Sequence, residues 1–441
     1  MSQTNMRIEI CPKVIPADQE VRLTLTAPQP FLHDRYSLLA ISLHMPRGAT
    51  GRAAGVPLTL DPETGALQAK ITAAGEQEHQ LRLYDDTVAF DFNKPIATFA
   101  VYSLAPDLYA LNPYKGDVHM HSRRSDGQDE PAHVAAACRR IGLDFMALTD
   151  HGQYAPSLEA QAAFRETAAD LRIYRGEEVH PPENPIHIIN FGGRFSVNDL
   201  FDGPDYRRQV AQIEADAGEL PAGLDRYEVA SALWSFDKIR EAGGLGIFCH
   251  PYWFFMHDEC RQGYYINEAL TTHLFDTQPF DALELLGGYH LHEAESNMLQ
   301  VARYHDERAK GRQIPVVGVS DAHGCETGSL FGWFYTIVFA SSLELEDLIG
   351  GIKGLLSVAV EALPGEVVRV YGPFRLVKYA LFLLREVFPA HDALCREESA
   401  AMFDWIGENG SGQQQQAGDR LQAFRGRTAA RLARDLGRQT I

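Results

Sequence analysis

At 441 residues, with 45% hydrophobic and 22% charged side chains, the chain is long enough for two or three globular domains and has an ordinary soluble composition. Lysine and arginine total 40 against 59 aspartate and glutamate, a net charge of −19. That acidity argues against general affinity for nucleic acid or an anionic membrane, which need clustered positive charge, and leaves small anionic ligands open.

The N-terminal MSQTNMRIEICPKVIPADQE lacks the apolar core of a secretory signal, and no apolar run approaches the roughly 18 residues that span a bilayer. Cys11, Cys138, Cys249, Cys260, Cys325 and Cys395 form no CxxC pair, so free thiols in a reducing compartment are expected. These readings predict a soluble, cytoplasmic protein. Residues 1–112 read as short, partly alternating strands (EVRLTLTA, ALQAKITAA, HQLRLYDD, IATFAVYSLA) with a hairpin turn at DPETG, Asp61 to Gly65. That spacing suits an antiparallel β-sandwich. Its histidines, His33, His44 and His79, stand apart without ligand spacing, which makes this an accessory module.

From Tyr114 the rhythm changes. Seven apolar, β-rich segments (GDVHMH, FMALTDH, LRIYRGEEVH, IHIINFG, LGIFCHP, ALELLGG, VVGVSDAH) alternate with helical stretches such as EPAHVAAACRRIG and AESNMLQVARYHDERAK. Strand–helix alternation over about 250 residues predicts an α/β fold, a distorted (β/α)7 TIM-like barrel over residues 113–364, with the site at the C-terminal ends of the strands. Residues 195–234 break the rhythm and read as an insertion at that face, a candidate lid. Residues 365–441 read as a helical C-terminal extension: GPFRLVKYALFLLREVF is apolar all round and therefore buried, GENGSGQQQQAGD is a flexible loop, and DRLQAFRGRTAARLARDLGRQ is one basic amphipathic helix. That last helix is expected to dock on its own domain or a neighbour, and a homo-oligomer is open.

Metal-ligand residue types cluster at the segment ends. His119 and His121 are two apart on a strand, so both project to one side. Asp126 follows in SDG. His151 can ligate with Asp150 orienting it from behind. Glu178 can bridge two cations, with Glu177 as its competitor. His187, His250, Asp321 and His323 complete the set, the last pair repeating the two-residue spacing. Imidazole and carboxylate ligands without thiolates suit two to three divalent transition metals, Zn²⁺, Mn²⁺ or Fe.

These motifs, HxH, SDG, TDH, GxE, a later His, HP and a final SDxH, resemble the PHP (polymerase and histidinol phosphatase) family of metal-dependent hydrolases over about Tyr114 to Ala340. The resemblance implies up to three metals: a first on His119, His121, Glu178 and Asp321; a second bridged by Glu178 to His187 and His250; a third on Asp126, His151 and His323. The preceding β-domain is similar to a branch containing carbamate-ester hydrolases.

Around this set the readings stay divided. His180 either lines the pocket or points away, and His290 and His292 are pocket wall or surface. Glu284 either orients a ligand histidine or is a plain strand residue. Tyr252, Trp253 and Phe254 either build an apolar wall or pack under a loop. Arg123 and Arg124 either clamp a phosphate or are solvated loop charges, whereas Arg175 needs an acidic partner or an anionic substrate. The chemistry expected is hydrolysis by a metal-bridging hydroxide, with Asp150, His250, Asp321 and His323 as catalytic residues and Arg123, Arg124, Arg175, Tyr252 and Trp253 as substrate contacts. A small, anionic phosphoester is the leading substrate. Carbamate, ester or amide hydrolysis is the alternative, and a non-catalytic, metal-stabilised binding module stands apart from both.

Overall fold

The computed structural model describes residues 8–28, 31, 35–42, 54–257, 260–288, 294–326, 330–407 and 411–438. Contacts divide the chain into two units: residues 1–111 with 381–391 and 426–441, and residues 112–380 with 392–425. Among the described residues, no helix is long and apolar enough to cross a membrane.

In the first unit the described strands form two sheets. One has the order Glu9–Cys11, Glu20–Thr26, Leu67–Thr72, Leu58–Leu60; the other Val14–Pro16, Ala97–Leu104, Gln77–Asp85, Tyr36–Ser42, Ala54–Val56. Period-two alternation supplies the core between them. Leu23, Leu25, Ala69 and Ile71 from one sheet meet Leu81, Leu83, Phe99 and Val101 from the other, while Lys70 and Thr72 point outward. The DPETG turn closes with Gly65 N–H donating to the Asp61 carbonyl at 2.8 Å, and Gly65 takes the left-handed φ of 67° that the turn requires. His79 is buried with Nε2 2.8 Å from Ser103 Oγ; His33 and His44 lie outside the described residues.

The second unit carries all seven apolar segments, but not as one continuously paired barrel. They fall in two sheets of mixed direction. The first has the order Arg172–Tyr174, Phe145–Ala147, Asn112–Asp117, Phe334–Ala340, Ser357–Glu361, Arg369–Tyr371. The second has the order Gly176–Val179, Ile188–Phe191, Leu245–Phe248, Ala282–Leu286, Val316–Gly318. Gly176–Val179, Ile188–Phe191 and Leu245–Phe248 pair antiparallel, which strand–helix alternation alone did not anticipate. The segment LRIYRGEEVH is not one strand: the chain changes sheet at Arg175, and Gly176 permits it, since a Cβ there would lie 2.7 Å from the Leu148 carbonyl. The ends of the sheets come together at two isolated parallel bridges, Met120 with Ala322 and His151 with Glu178. Strands such as Leu245–Phe248 and Ala282–Leu286 are buried at every residue, as two-sided packing demands.

Residues 195–234 carry two helices that pack on the core. The helices Pro204–Asp216 and Arg226–Glu241 bury Tyr206, Val210, Val229, Trp234 and Phe236 in one cluster with Phe248 and Leu283. The C-terminal residues do not form a third unit but divide between the two. The stretch read as a flexible glutamine-rich loop is the helix Ser411–Phe424, with residues 408–410 outside the described set. Glutamine is a competent helix former, and Ala417 and Leu421 give the helix a buried stripe. The single basic helix expected after it is broken at Gly426, φ 75°, so that Arg427–Asp435 is separate. Helix Phe374–Glu386 buries Leu376, Tyr379, Ala380, Phe382 and Leu383 and leaves Phe374 76% exposed.

One buried ion pair ties the helix Pro131–Arg140 to Phe388–Ile406. Arg139 donates through Nε and Nη2 to Glu398 Oε2 at 2.8 and 2.7 Å, and through Nη1 to the Leu143 carbonyl at 2.9 Å. Arg139→Met leaves Glu398 buried without its cation and is expected to cost about 3–5 kcal/mol of stability, read from urea unfolding, with Glu398→Leu in the same chain recovering most of it. In the first unit, burial pushes His79 from 6.5 down to about 4. The unfolded chain therefore binds the extra proton first, and stability is lost as pH falls from 6.5 towards 4. His79→Asn is expected to flatten that part of the pH–stability curve, and an unchanged slope would count against the assignment.

Candidate metal centre

Two strand ends place paired candidate ligands at two-residue spacing, His119 with His121 and Asp321 with His323. His119 and His121 follow Asn112–Asp117, and both are buried. Glu284, in the strand Ala282–Leu286, accepts from His119 Nδ1 at 2.8 Å and from the backbone N–H of His250 at 3.2 Å. Of the two readings left open, Glu284 therefore holds a histidine: it fixes the ring so that Nε2 faces the site, a carboxylate–histidine arrangement typical behind metal ligands. His119 Nε2 lies 3.2 Å from Asp321 Oδ1, and His121 Nε2 lies 2.8 Å from the same oxygen. Asp321 and His250 adopt positive φ, 51° and 27°, uncommon for residues with a Cβ. Backbone bonds over-determine both positions, since Asp321 N–H donates to the His119 carbonyl and His250 N–H to Glu284.

Glu178 is at the centre. His119 Nε2, His187 Nδ1 and His250 Nε2 lie 3.7, 2.8 and 3.5 Å from Oε1. His121 Nε2, His151 Nδ1 and His180 Nε2 lie 3.6, 2.5 and 3.4 Å from Oε2. Six imidazoles thus face one fully buried carboxylate, yet neither oxygen meets hydrogen-bond geometry with any of them. His119 Nε2, His121 Nδ1 and His187 Nδ1 are likewise without a hydrogen-bond partner. Donor atoms that converge on one buried carboxylate without hydrogen bonds suit a shared cation, so the residues fit the divalent metals their types imply.

Its neighbour Glu177 shows why the two carboxylates differ. Strand alternation turns Glu177 to the other face, where Oε1 accepts from Asn190 Nδ2 and Val197 N, and Oε2 from Ser196 Oγ and Asn198 Nδ2, at 2.6–2.9 Å. With four donors it is a structural anchor for residues 196–198.

A further group lies beside this one. Asp126 is 3.4 Å from His151 Nε2, 3.3 Å from His323 Nε2 and 3.9 Å from His121 Nδ1. His323 is oriented by its Nδ1, 2.8 Å from the Asp321 carbonyl. His250 gathers with His119 and Glu178, and His187 with His151, His180 and Glu178, so both rings share the Glu178 carboxylate. Asp150, expected behind His151, instead faces the SRRSD loop. Its Oδ1 accepts from the N–H and Oγ of both Ser122 and Ser125 at 2.7–3.1 Å, so it holds the loop that carries Asp126.

Electrostatics follow the crowding. Burial would raise Glu178, but the facing His187 and His119 rings outweigh it and hold the carboxyl well below its usual range. Burial works against a charged His119, yet Asp321, Glu284 and Glu178 together raise it well above the ordinary value. His151 is likewise raised to about 9, burial being outweighed by Glu178, whereas burial wins at His187 and pushes it down to about 4. Asp117, just before the HxH pair, is pushed up to about 7 by burial, and its Oδ1 accepts from the N–H groups of His119 and Ser320 at 3.2 Å each. That tie between two strand ends went unread in the sequence, where an aspartate two residues before HxH carries no distinctive signal.

A cavity of about 430 Å³ opens over the cluster, lined by Asp126, Gln128, His151, His187, His250, Trp253, Gly288, Asp321, His323 and Leu330. None of the three arginines expected to contact substrate is among them. Arg123 pairs with Glu130 at 2.8 Å, and Arg124 with Glu159 at 2.6 Å and Glu130 at 3.1 Å, both at the surface. Arg175 is half-buried beside Tyr154. Tyr252 is also turned away: its carbonyl accepts from Ser296 Oγ and its hydroxyl lies 3.5 Å from Arg303 Nη1. Trp253 does reach the cavity, its ring 4.6 Å from that of Tyr265. His290 and His292 lie outside the described residues.

The residues of the seven sequence motifs thus gather on and beside one carboxylate. The chain resembles the PHP family. No protein-family model matches it. Over 90 residues it is 38% identical to the DNA polymerase/3'-5' exonuclease PolX of Bacillus subtilis, a match covering 18% of this chain and only 16% of that protein's length. Over 187 residues it is 25% identical to the uncharacterized protein MJ1587 of Methanocaldococcus jannaschii, covering 40% of this chain and 83% of that one. Among solved structures it is similar to a two-domain protein of Bacteroides vulgatus described as containing a PHP-like metal-dependent phosphoesterase, at 19% identity and a TM-score of 0.39, over 58% of this chain and 67% of that one.

Glu284→Gln keeps the shape but weakens the grip on His119. It is expected to lower Zn²⁺ affinity about 10–100-fold in a chelator-competition titration while leaving the fold intact, and undiminished affinity would remove Glu284 from the centre.

Proposed function

We propose that this chain is a metal-dependent hydrolase of a small phosphoester. The observation that carries the reading is the buried Glu178 carboxylate ringed by six imidazoles and without hydrogen bonds. His119, His121 and Asp321 with Glu178, His187 and His250 with the same carboxylate, and Asp126, His151 and His323 beside them would hold two to three divalent ions such as Zn²⁺, Mn²⁺ or Fe. Bound there, such ions supply Lewis acidity to a phosphoryl or carbonyl oxygen and make water acidic enough to serve as nucleophile at neutral pH.

The chain's own contribution is position. Glu284 orients His119, Asp150 fixes the Asp126 loop, and Glu177 pins the strand end from which Glu178 projects. Among the described lining residues there is no lysine or arginine, so attraction for an anionic substrate would come from the bound ions. The same wall, without lysine or arginine and with Trp253 and Leu330, favours a second reading: hydrolysis of an aryl carbamate or ester.

A panel of phosphomonoesters, phosphodiesters and aryl carbamates, assayed with Mn²⁺ or Zn²⁺, separates the two. Turnover of a phosphoester that disappears on chelation and returns with metal is the expected result. Turnover of carbamates alone would move the assignment to the second reading, and none across the panel would contradict both.

A further inference from the structure

We infer that His180 is itself a metal ligand, acting with His187 and Glu178. The inference rests on the metal-centre reading above and extends it to a residue outside the motif set. Its first support is a pattern in the chain. His119-x-His121 and Asp321-x-His323 each put two ligand types on one side of a strand end, and Glu178-x-His180 has the same spacing. Strand Gly176–Val179 ends one residue before His180, so the alternation that turns Glu178 inward turns His180 with it.

Geometry is the second support. His180 Nε2 lies 3.4 Å from Glu178 Oε2 and 3.0 Å from His151 Nδ1, and its ring centroid is 3.9 Å from that of His187. The ligand atoms of His151, Glu178, His180 and His187 all lie within 4.8 Å of one another. Two imidazole nitrogens at 3.0 Å either share a proton or stand at the spacing of adjacent ligands on one ion, and both rings also flank an unbonded carboxylate oxygen. The backbone holds the residue in place: His180 N–H donates to Asn198 Oδ1 at 3.1 Å, while Asn198 Nδ2 donates to Glu177 Oε2 and to the Glu178 carbonyl. His180 would then add a third imidazole to the His187, His250 and Glu178 set.

The alternative is that His180 is only the hydrogen-bond partner of His151. Glutamine keeps a hydrogen-bonding group at the position but is a poor ligand for Zn²⁺ or Co²⁺, so His180→Gln separates the two roles. The experiment measures Zn²⁺ stoichiometry and affinity by chelator competition, and the visible spectrum after Co²⁺ loading, for the full chain and for the His180→Gln and His180→Ala variants. With its side chain 34% exposed, His180 should be replaceable without unfolding, which circular dichroism in chelator checks. The inference expects both variants to lose at least about tenfold in affinity for one ion, with an altered Co²⁺ spectrum, while the remaining ions bind as before. Wild-type affinity and spectrum in His180→Gln would overturn it and leave the metal centre standing. A wild-type chain that binds no Zn²⁺ or Co²⁺ would overturn the metal centre itself.

Discussion

A carboxylate buried without hydrogen bonds demands positive charge close by, and Glu178 is under that constraint. Leaving an ionised group uncompensated in a protein interior costs several kcal/mol, so a chain that keeps one there must answer it. The answer here is a shell of nitrogen atoms from six histidines on five strand ends, three to each oxygen. Imidazoles can meet the charge in two ways, by taking protons or by sharing cations. The first would crowd several positive rings into a few ångströms; the second concentrates the charge on fewer centres and uses nitrogen atoms that already face the carboxylate.

Much of the second unit can be read as what keeps that carboxylate in place. Gly176 lets the chain step from one sheet to the next without a clash at Leu148. Glu177, turned the opposite way, is locked by four donors, so the strand cannot slip by one residue and exchange the two glutamates. The bridges His151–Glu178 and Met120–Ala322 then bring the ends of the two sheets to the site. Left-handed backbone at His250 and Asp321 turns those side chains inward, and a hydrogen bond to Glu284 or His119 holds each in that uncommon conformation.

The sequence made the ligand types and their strand-end positions legible because a two-residue spacing and an apolar run are local signals. It also distinguished Glu178 from Glu177 through the GxE spacing, and the opposite environments of the two carboxylates explain why they differ. What it could not carry was anything decided by partners distant in the chain. Arg124 is paired with Glu159, Tyr252 faces Arg303, and Asp150 faces Ser122 and Ser125, partners that no local pattern announces. The change of sheet at Arg175 escaped notice because an apolar run reads the same on either side. The glutamine-rich helix Ser411–Phe424 is hidden by its low complexity, since only Ala417 and Leu421 mark its buried stripe.

The most direct test of the account is anomalous diffraction from crystals of the full chain grown with Zn²⁺ or Mn²⁺. The account predicts anomalous peaks at coordination distance, about 2.0–2.2 Å, from both oxygens of Glu178, with the surrounding imidazoles turned towards them. A cavity free of anomalous density, with peaks only at surface carboxylates, would contradict it.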